Sequence, residues 1–142
     1  DKKTRKSLCV LDLDTVMPGL AANDFGDTVR FGANDCREDE QDQSRVHFLL
    51  PLYQVCVQGF LSQAGPALTE QEILTLPWGA RLMTLECGIR FLTDYLQGDT
   101  YFKIEREQHN LDRACTQFTL VEQMEQQWQQ MLACSEQYLN QQ

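Results

Sequence analysis

Apolar residues recur at helical spacing through the second half of the chain. In the range 78–96 they are Leu82, Leu85, Ile89, Leu92 and Leu96. Steps of three and four residues place them on one broad face of a helix, and such a face must be buried against other helices. A second stripe of apolar residues predicts a long helix over 111–139, with the glutamine-rich part on its solvent-exposed face. We therefore expect a mainly α fold with the 78–96 helix at its centre.

The first half of the chain predicts less regular helices. An apolar pattern over 41–63 predicts a helix that Pro51 kinks or interrupts, because proline removes a backbone donor and its ring clashes with the preceding turn. The range 23–34 predicts one or two helical turns. Asp24 or Asp27 is the expected N-cap of these turns, since aspartate accepts hydrogen bonds from free N–H groups.

Three short signals predict where the central helices begin and end. Thr69 and Glu72 have the spacing of a capping box, which predicts a short helix after them. Pro77 suits the first turn of the next helix. Gly98 is expected to end that helix, because glycine readily adopts the left-handed conformation found there.

A short apolar run at 8–11 predicts a buried β-strand near the start of the chain. A lone strand cannot satisfy its backbone hydrogen bonds, and no later segment has a strong strand pattern. We expect the partner strand to precede Asp1, so that the chain begins inside a β-hairpin of a longer protein.

Length and charge narrow the classes of function. The chain has 142 residues, which predicts a single domain over 1–142. Twelve Lys and Arg against 21 Asp and Glu give a net charge of −9, which argues against nucleic acids and anionic membranes as partners. We find no apolar run long enough for a spanning helix and no signal peptide, so we expect a cytoplasmic protein.

The six cysteines do not have the pattern of a disulfide framework. They are Cys9, Cys36, Cys56, Cys87, Cys115 and Cys134. They are widely spread and form no C-x-x-C pair, and neither histidine has a cysteine close by, as a zinc site would require. We expect buried free thiols.

Asp12 and Asp14 are the sharpest chemical signal in the residues themselves. Side chains two apart on a strand point the same way, and two such carboxylates repel unless something cationic lies between them. A bound Mg²⁺ ion is one explanation for the pair. The alternative is that one carboxylate caps the next turn and the other pairs with an arginine. The D-x-D pattern alone favours this alternative.

Four arginines lie in or beside apolar helices, where a guanidinium requires an anionic partner. They are Arg30, Arg81, Arg90 and Arg113. A phosphate or a polar ligand would be a functional partner, but a neighbouring Asp or Glu is the better expectation for each. The nucleotide-binding glycine motifs, the nucleophile elbow and the H-E-x-x-H zinc motif are absent from the sequence.

Longer strings carry a resemblance to a known family. The string LDLDTVMPGLAANDFGDTVRFGAN, at 11–34, resembles the segment after the catalytic loop in sugar and aminoglycoside kinases. The match is closest to N-acetylhexosamine 1-kinases, within the aminoglycoside, choline and sugar phosphotransferase superfamily. The strings TLECGIRFLTDYLQGDTYFK, at 84–103, and HNLDRACTQ, at 109–117, extend it.

The resemblance implies the helical C-lobe of a protein-kinase-like fold, with one short N-terminal β-strand or hairpin remnant. Such enzymes use ATP and Mg²⁺ to phosphorylate the anomeric hydroxyl of N-acetylglucosamine or N-acetylgalactosamine. Asp12 matches the metal-binding Asp, and Asp14 matches a second acidic position that can touch metal. Asp24 matches an Asp that braces the catalytic loop.

The resemblance also implies a sugar site. Arg90 and Tyr101 match its sugar-binding positions, where a guanidinium and a phenol suit a neutral sugar. Trp128 is predicted to wall the same pocket, although it rests on no motif.

One essential motif of the family is missing. Neither His47 nor His109 begins an H-x-D-x-x-x-x-N string, so the small ATP-binding lobe, the hinge and the catalytic base are expected upstream of Asp1. We therefore predict that this chain alone does not transfer phosphate. In the complete protein, this chain would contact the small ATP-binding lobe. Without that lobe, the apolar surface left exposed could drive self-association.

Two other classes of function stay open. The chain could be a non-catalytic helical module that binds a sugar or a partner. A mucin-glycan hydrolase or desulfatase is the third class, but no cysteine begins the C-x-P-x-R motif of a sulfatase. The sugar is also open, and another hexosamine or an aminoglycoside is an alternative substrate.

Overall fold

Five α-helices make up most of the structure, which is a computed structural model that describes residues 3, 4, 6, 8, 9, 13 and 16–141. The helices are α1 (Ala21–Gly32), α2 (Leu50–Ala64), α3 (Glu70–Leu96), α4 (His109–Gln126) and α5 (Trp128–Leu139). Short 3₁₀ turns cover Gln43–Arg45 and Gly65–Ala67. This confirms the mainly α prediction. No helix within the described residues is both long enough and apolar enough to cross a lipid bilayer.

The predicted N-terminal strand is not found in the described part of the chain. Leu8 and Cys9 are in no strand, and Leu8 leaves 77% of its surface exposed, whereas Val10 and Leu11 lie outside the described residues. The described residues offer no partner strand either, and the one β-bridge among them joins Asn34 to Phe48. An unpartnered strand would leave its backbone groups without hydrogen bonds.

Helix α1 begins earlier and runs longer than its sequence predicts. Leu20 is its N-cap residue and makes no side-chain cap, so neither Asp24 nor Asp27 caps the helix. Asp24 lies in the first turn, where a negative charge interacts favourably with the helix dipole. Asp27 instead accepts a hydrogen bond from the guanidinium of Arg30 at 2.9 Å. The extra turns form because Phe25 and Val29 are fully buried against other helices.

Pro51 begins a helix instead of kinking one. Helix α2 starts at Leu50, and the preceding segment is a 3₁₀ turn followed by extended backbone. Proline has no N–H to donate, and the first turn of a helix has no intrahelical acceptor for that group. The predicted 41–63 helix is therefore shortened at its start.

Helix α3 is the central element, as predicted, but the prediction of which face it buries is wrong. Leu82, Ile89 and Leu96 leave 57%, 51% and 74% of their surfaces exposed. The neighbouring helices pack instead against the face that carries the small residues Gly79 and Gly88.

The capping box of Thr69 and Glu72 is confirmed, with Thr69 Oγ1 accepting from the Glu72 N–H and Glu72 Oε2 accepting from the Thr69 N–H. The prediction that Pro77 starts a separate helix is wrong, because Pro77 lies inside one helix of 27 residues. Proline inside a helix costs about 3 kcal/mol, which the burial of Pro77 and its neighbour Leu76 offsets.

The predicted helix over 111–139 is two helices. Gln127 leaves the helical conformation, with φ of −105° and ψ of 17°, and separates α4 from α5. The change of direction lets α5 pack against both α2 and α3. It also buries Met131 completely, and the backbone oxygen of Met131 accepts from the Tyr53 hydroxyl at 3.5 Å. One straight helix would leave that side of α2 uncovered.

The core combines aromatic and aliphatic side chains from all five helices. Its largest fully buried members are Phe25, Tyr53, Leu61, Leu76, Leu120, Met124 and Met131. The Phe25 ring lies 5.9 Å from the Tyr53 ring in an edge-to-face arrangement and 5.3 Å from the Phe60 ring. Such pairs add to the free energy of burying their area.

All six cysteines are free thiols, as predicted. Their burial is less complete than expected, since Cys9 is exposed and the other five are partly buried.

Helices α1 and α3 cross closely at a pair of glycines. A Cβ atom on Gly79 would overlap the backbone oxygen of Ala22, and one on Gly26 would overlap the backbone carbonyl of Gly79. Both clashes involve backbone atoms, so a side chain could not move aside to relieve them. The two helix backbones can touch only because neither position has a side chain.

Gly79→Ala should therefore lower the free energy of unfolding by about 1–3 kcal/mol, because the added methyl forces α1 away from α3. Gly59→Ala is the matched control. Gly59 lies in α2 with open space around it, so alanine there should raise stability by about 0.5–1 kcal/mol. Urea unfolding of both variants measures the difference, and equal stabilities would show that the crossing is not close-packed.

Candidate ligand-binding site

The structure brings Arg90 and Tyr101 together, although they are eleven positions apart in the sequence. The guanidinium carbon of Arg90 lies 5.9 Å from the centre of the Tyr101 ring and 5.4 Å from that of Phe102. Arg90 comes from the last turns of α3, and the two aromatic residues come from the segment after it. Glu86, one turn earlier, holds the other side of Arg90 with an Oε1 to Nε distance of 3.6 Å.

An open groove of about 390 Å³ lies over this contact. It is lined by Arg90, Thr93, Asp94, Gln97, Tyr101 and Phe102. This volume lies within the range of small-ligand sites, which combine apolar faces with a few directed polar groups. Tyr101 exposes 74% of its surface, so its ring and hydroxyl are available to a ligand.

A tight turn after α3 carries the aromatic residues of the groove. Gly98 and Asp99 have φ of 89° and 57°, which reverses the chain directly after the helix. The Asp94 carboxylate accepts three successive backbone N–H groups on the far side of this turn. Its Oδ1 accepts from Thr100 at 2.9 Å and Tyr101 at 2.8 Å, and its Oδ2 accepts from Phe102 at 2.9 Å.

Asn110, in the first turn of α4, joins the same network. Its Nδ2 donates to Asp94 Oδ2 at 2.9 Å and to Asp99 Oδ1 at 2.8 Å. Its Oδ1 accepts from the Arg113 guanidinium at 3.0 Å. Asn110 is fully buried, and every polar atom of its amide group has a partner within the protein. The turn is thus fixed to both α3 and α4.

Aromatic rings support the groove from below. The Phe91 and Phe102 rings lie 4.7 Å apart, and Phe91 is almost fully buried. The Arg113 guanidinium lies 5.3 Å from the centre of the Phe91 ring, on the α4 side. These contacts give the groove an apolar base, while its polar atoms come from the end of α3.

The pKa of Asp94 is lower than usual. Burial alone would raise the pKa of this carboxyl, but the N–H groups of Phe102, Tyr101 and Thr100 stabilise the charged form and lower it. A carboxyl whose pKa is lower in the folded than in the unfolded chain stabilises the fold above the unfolded value, about 3.9. That stability is lost as the pH falls through the lower, folded value.

Asp94→Asn tests this dependence. Wild type should be more stable than the variant by a constant amount above about pH 5, and the difference should shrink as the pH falls below about 4. Urea midpoints of both proteins, measured between pH 3 and pH 7, give the difference. A gap that widens at low pH would contradict the direction of the pKa shift.

Trp128 lies in a different cluster. Its ring makes an edge contact with Trp78 at 4.8 Å, and the Arg81 guanidinium lies 5.4 Å from Trp128 and 4.6 Å from Trp78. Arg81 and Arg90 are nine residues apart on α3, or about 14 Å along the axis. The structure therefore does not bring Trp128 together with Arg90 and Tyr101. It joins α5 to α3 because α5 folds back at Gln127.

The remaining predicted site residues are near the N-terminus. Asp24 is exposed on α1, and its backbone oxygen accepts from Thr28 Oγ1 at 2.9 Å. The H-x-D-x-x-x-x-N loop that its carboxylate would brace is not in this sequence. Asp12 and Asp14 lie outside the described residues, so their role as metal ligands stays a prediction. The described part of the chain contains no group of three His, Cys, Asp or Glu side chains that could hold a metal ion.

The arginines pair with acidic neighbours, as expected from sequence. The pairs are Arg30 with Asp27 and Glu38, Arg81 with Glu125, Arg90 with Glu86, and Arg113 with Glu38. The separations run from 2.9 Å for Arg30 to 3.8 Å for Arg113. Only Arg90 among them also lines the open groove beside Tyr101.

A second charged cluster was not predicted. Asp39 lies 3.2 Å from His109 Nε2 and 3.4 Å from Arg106, and Arg106 also pairs with Asp112. His109 Nδ1 accepts from the Glu105 N–H at 3.1 Å, which leaves the ring proton on Nε2 facing Asp39. The contacts of Asp39 join residues 67 or more positions apart, and no short motif indicates them. They hold the segment before α2 against the start of α4.

No model of a known protein family matches the chain. Membership of the phosphotransferase superfamily therefore stays a prediction from sequence.

Proposed function

We propose that this chain forms the sugar-binding part of an ATP- and Mg²⁺-dependent kinase that phosphorylates an N-acetylhexosamine at its anomeric hydroxyl. The observation that carries the proposal is the Arg90–Tyr101 contact at the open groove. These are the two residues that the family resemblance predicts for the sugar site. Their meeting in space supports the resemblance, since a separation of eleven positions does not by itself require it.

The chemistry of the groove suits a neutral sugar. The Arg90 guanidinium donates hydrogen bonds in fixed directions, which suits hydroxyl and acetamide oxygens. The exposed Tyr101 ring offers a flat face to the C–H groups of a pyranose, and its hydroxyl can donate or accept. Thr93 and Gln97 add a hydroxyl and an amide at the same groove.

The charge of Arg90 favours a neutral sugar over a cationic aminoglycoside. An ammonium group placed near Tyr101 would also be near the Arg90 guanidinium, and like charges repel at that separation. Glu86 is already engaged with Arg90. The acetamide oxygen of an N-acetylhexosamine has no such conflict.

Mg²⁺ would be held by Asp12 and Asp14, which lie outside the described residues. When bound, the ion would neutralise phosphate oxygens of ATP during transfer. Neither the nucleotide site nor the catalytic base is assigned to a residue of this chain. What the described residues contribute is the binding and orientation of the sugar.

A non-catalytic sugar-binding module is the second candidate. The same groove supports it, because sugar binding by Arg90 and Tyr101 requires neither ATP nor a metal ion. Phosphorylation by the complete protein distinguishes the two candidates.

Sugar binding is tested by calorimetry or NMR titration of the chain with N-acetylglucosamine, N-acetylgalactosamine and glucose. Arg90→Ala and Tyr101→Ala should each weaken binding of the preferred sugar about tenfold, since each removes a central contact. Tyr101→Phe separates the ring from its hydroxyl. Arg37→Ala, at an exposed arginine outside the groove, is the control and should bind as wild type. Equal affinities in all variants would place the sugar elsewhere.

Phosphoryl transfer is tested separately. Purified chain with ATP, Mg²⁺ and N-acetylglucosamine should give no sugar 1-phosphate, because the predicted catalytic base is not in this sequence. Product formation, measured by ³¹P NMR, would overturn that prediction. Reading the coding sequence upstream of Asp1 then decides between the candidates. An H-x-D-x-x-x-x-N string there supports the kinase. A start codon directly before Asp1 or near it supports the non-catalytic module.

A further inference from the structure

We infer that Asp94 is a positioning residue for the ligand groove, and that it acts through the backbone of Tyr101. This inference rests on the proposed function, because it concerns the same groove. Asp94 lines the groove, but both carboxylate oxygens are already occupied by N–H donors of the protein. Its contribution to binding is therefore the placement of Tyr101 and not a contact with the sugar.

The Tyr101 side chain has little packing of its own. It exposes 74% of its surface, and its ring contacts Phe102 at 4.8 Å and Arg90 at 5.9 Å. The backbone around it forms neither helix nor strand. Three hydrogen bonds from Thr100, Tyr101 and Phe102 to one carboxylate are what fix this backbone. A ring with so few contacts stays beside Arg90 only if its backbone is held.

The turn that precedes Tyr101 depends on the same carboxylate and its partner amide. Asp99 is left-handed with φ of 57°, a conformation that is uncommon for non-glycine residues, although aspartate tolerates it better than most. Its N–H donates to the Asp94 backbone oxygen at 2.8 Å, and its carboxylate accepts from Asn110 at 2.8 Å. Asp94 and Asn110 thus fix both sides of the turn.

The network requires a carboxylate at position 94. Both of its oxygens accept hydrogen bonds, and an amide of the same shape has one oxygen and one NH₂ group. In Asp94→Asn the NH₂ group faces either the Tyr101 N–H or the Phe102 N–H, so one side of the network becomes a donor facing a donor. The change alters hydrogen bonding with almost no change in volume.

Two measurements on Asp94→Asn test the inference. The amide protons of 100–102 should exchange with solvent at least about tenfold faster than in wild type, because their acceptor is weakened. Affinity for N-acetylglucosamine should fall about tenfold, because the bound position of Tyr101 must then be ordered by the ligand. Asp35→Asn, the same chemical change at an exposed side chain on another surface, should alter neither quantity.

A double-mutant cycle separates positioning from general destabilisation. If Asp94 acts through Tyr101, Asp94→Asn should cost affinity in the wild-type background and almost none in the Tyr101→Ala background. Equal losses in both backgrounds would overturn the inference. If Asp94→Asn does not fold, Asn110→Ala replaces it in the same cycle, because Asn110 supports the same carboxylate from α4.

The result also distinguishes this inference from the proposed function. If wild type does not bind N-acetylglucosamine, the proposed function fails. Faster exchange at 100–102 in Asp94→Asn would then still support the role of Asp94 in holding Tyr101. Unchanged exchange would overturn that role, whether or not the sugar binds.

Discussion

The close crossing of α1 and α3 at Gly26 and Gly79 is the constraint on which the other packing depends. Because the two backbones touch there, Phe25 of α1 is fully buried, and its ring contacts those of Tyr53 and Phe60 in α2. The 27-residue length of α3 then lets one helix organise the whole structure. Its middle packs on α1 at Gly79 and on α5 at Trp78, and its C-terminal part packs on α4 at Gly88 and presents Arg90.

The middle and the C-terminal end of α3 make different kinds of contact. In the middle, Trp78 packs edge to face on Trp128, and the Arg81 guanidinium lies 4.6 Å and 5.4 Å from the two rings. At the C-terminal end, the Asp94 carboxylate accepts successive N–H groups, and directed hydrogen bonds dominate. Ring contacts tolerate small displacements, whereas hydrogen bonds fix direction and distance. The C-terminal end is therefore better suited to hold a side chain in register with a polar ligand.

Sequence patterns predicted the elements that depend on local chemistry. The mainly α class, the Thr69–Glu72 capping box and the termination at Gly98 follow from side-chain spacing and backbone preference, and the structure confirms them. The failures arose where tertiary contacts outweigh local preference. Pro77 lies inside a helix because α3 is packed on both sides, and the 111–139 stripe breaks at Gln127 because α5 covers α2. A periodic pattern indicates that a helix forms, but it shows neither which face the neighbouring helices cover nor where the helix must turn. Leu82 and Ile89 belong to the predicted buried face of α3 and are exposed.

The candidate site shows the same division between local and long-range information. The sequence alone, through its resemblance, predicted Arg90 and Tyr101 as a pair, and they meet because Asp94 directs the chain back after α3. Asp94 itself gave no signal, since a lone aspartate near a helix end is common and its role depends on three amides beyond the turn. Trp128 was grouped with them although no motif supported it, and packing places it beside Trp78 and Arg81, about 14 Å from Arg90 along α3. The resemblance thus indicated two residues eleven positions apart, whereas neither the carboxylate that holds the turn between them nor the packing of a distant helix could be predicted from the sequence.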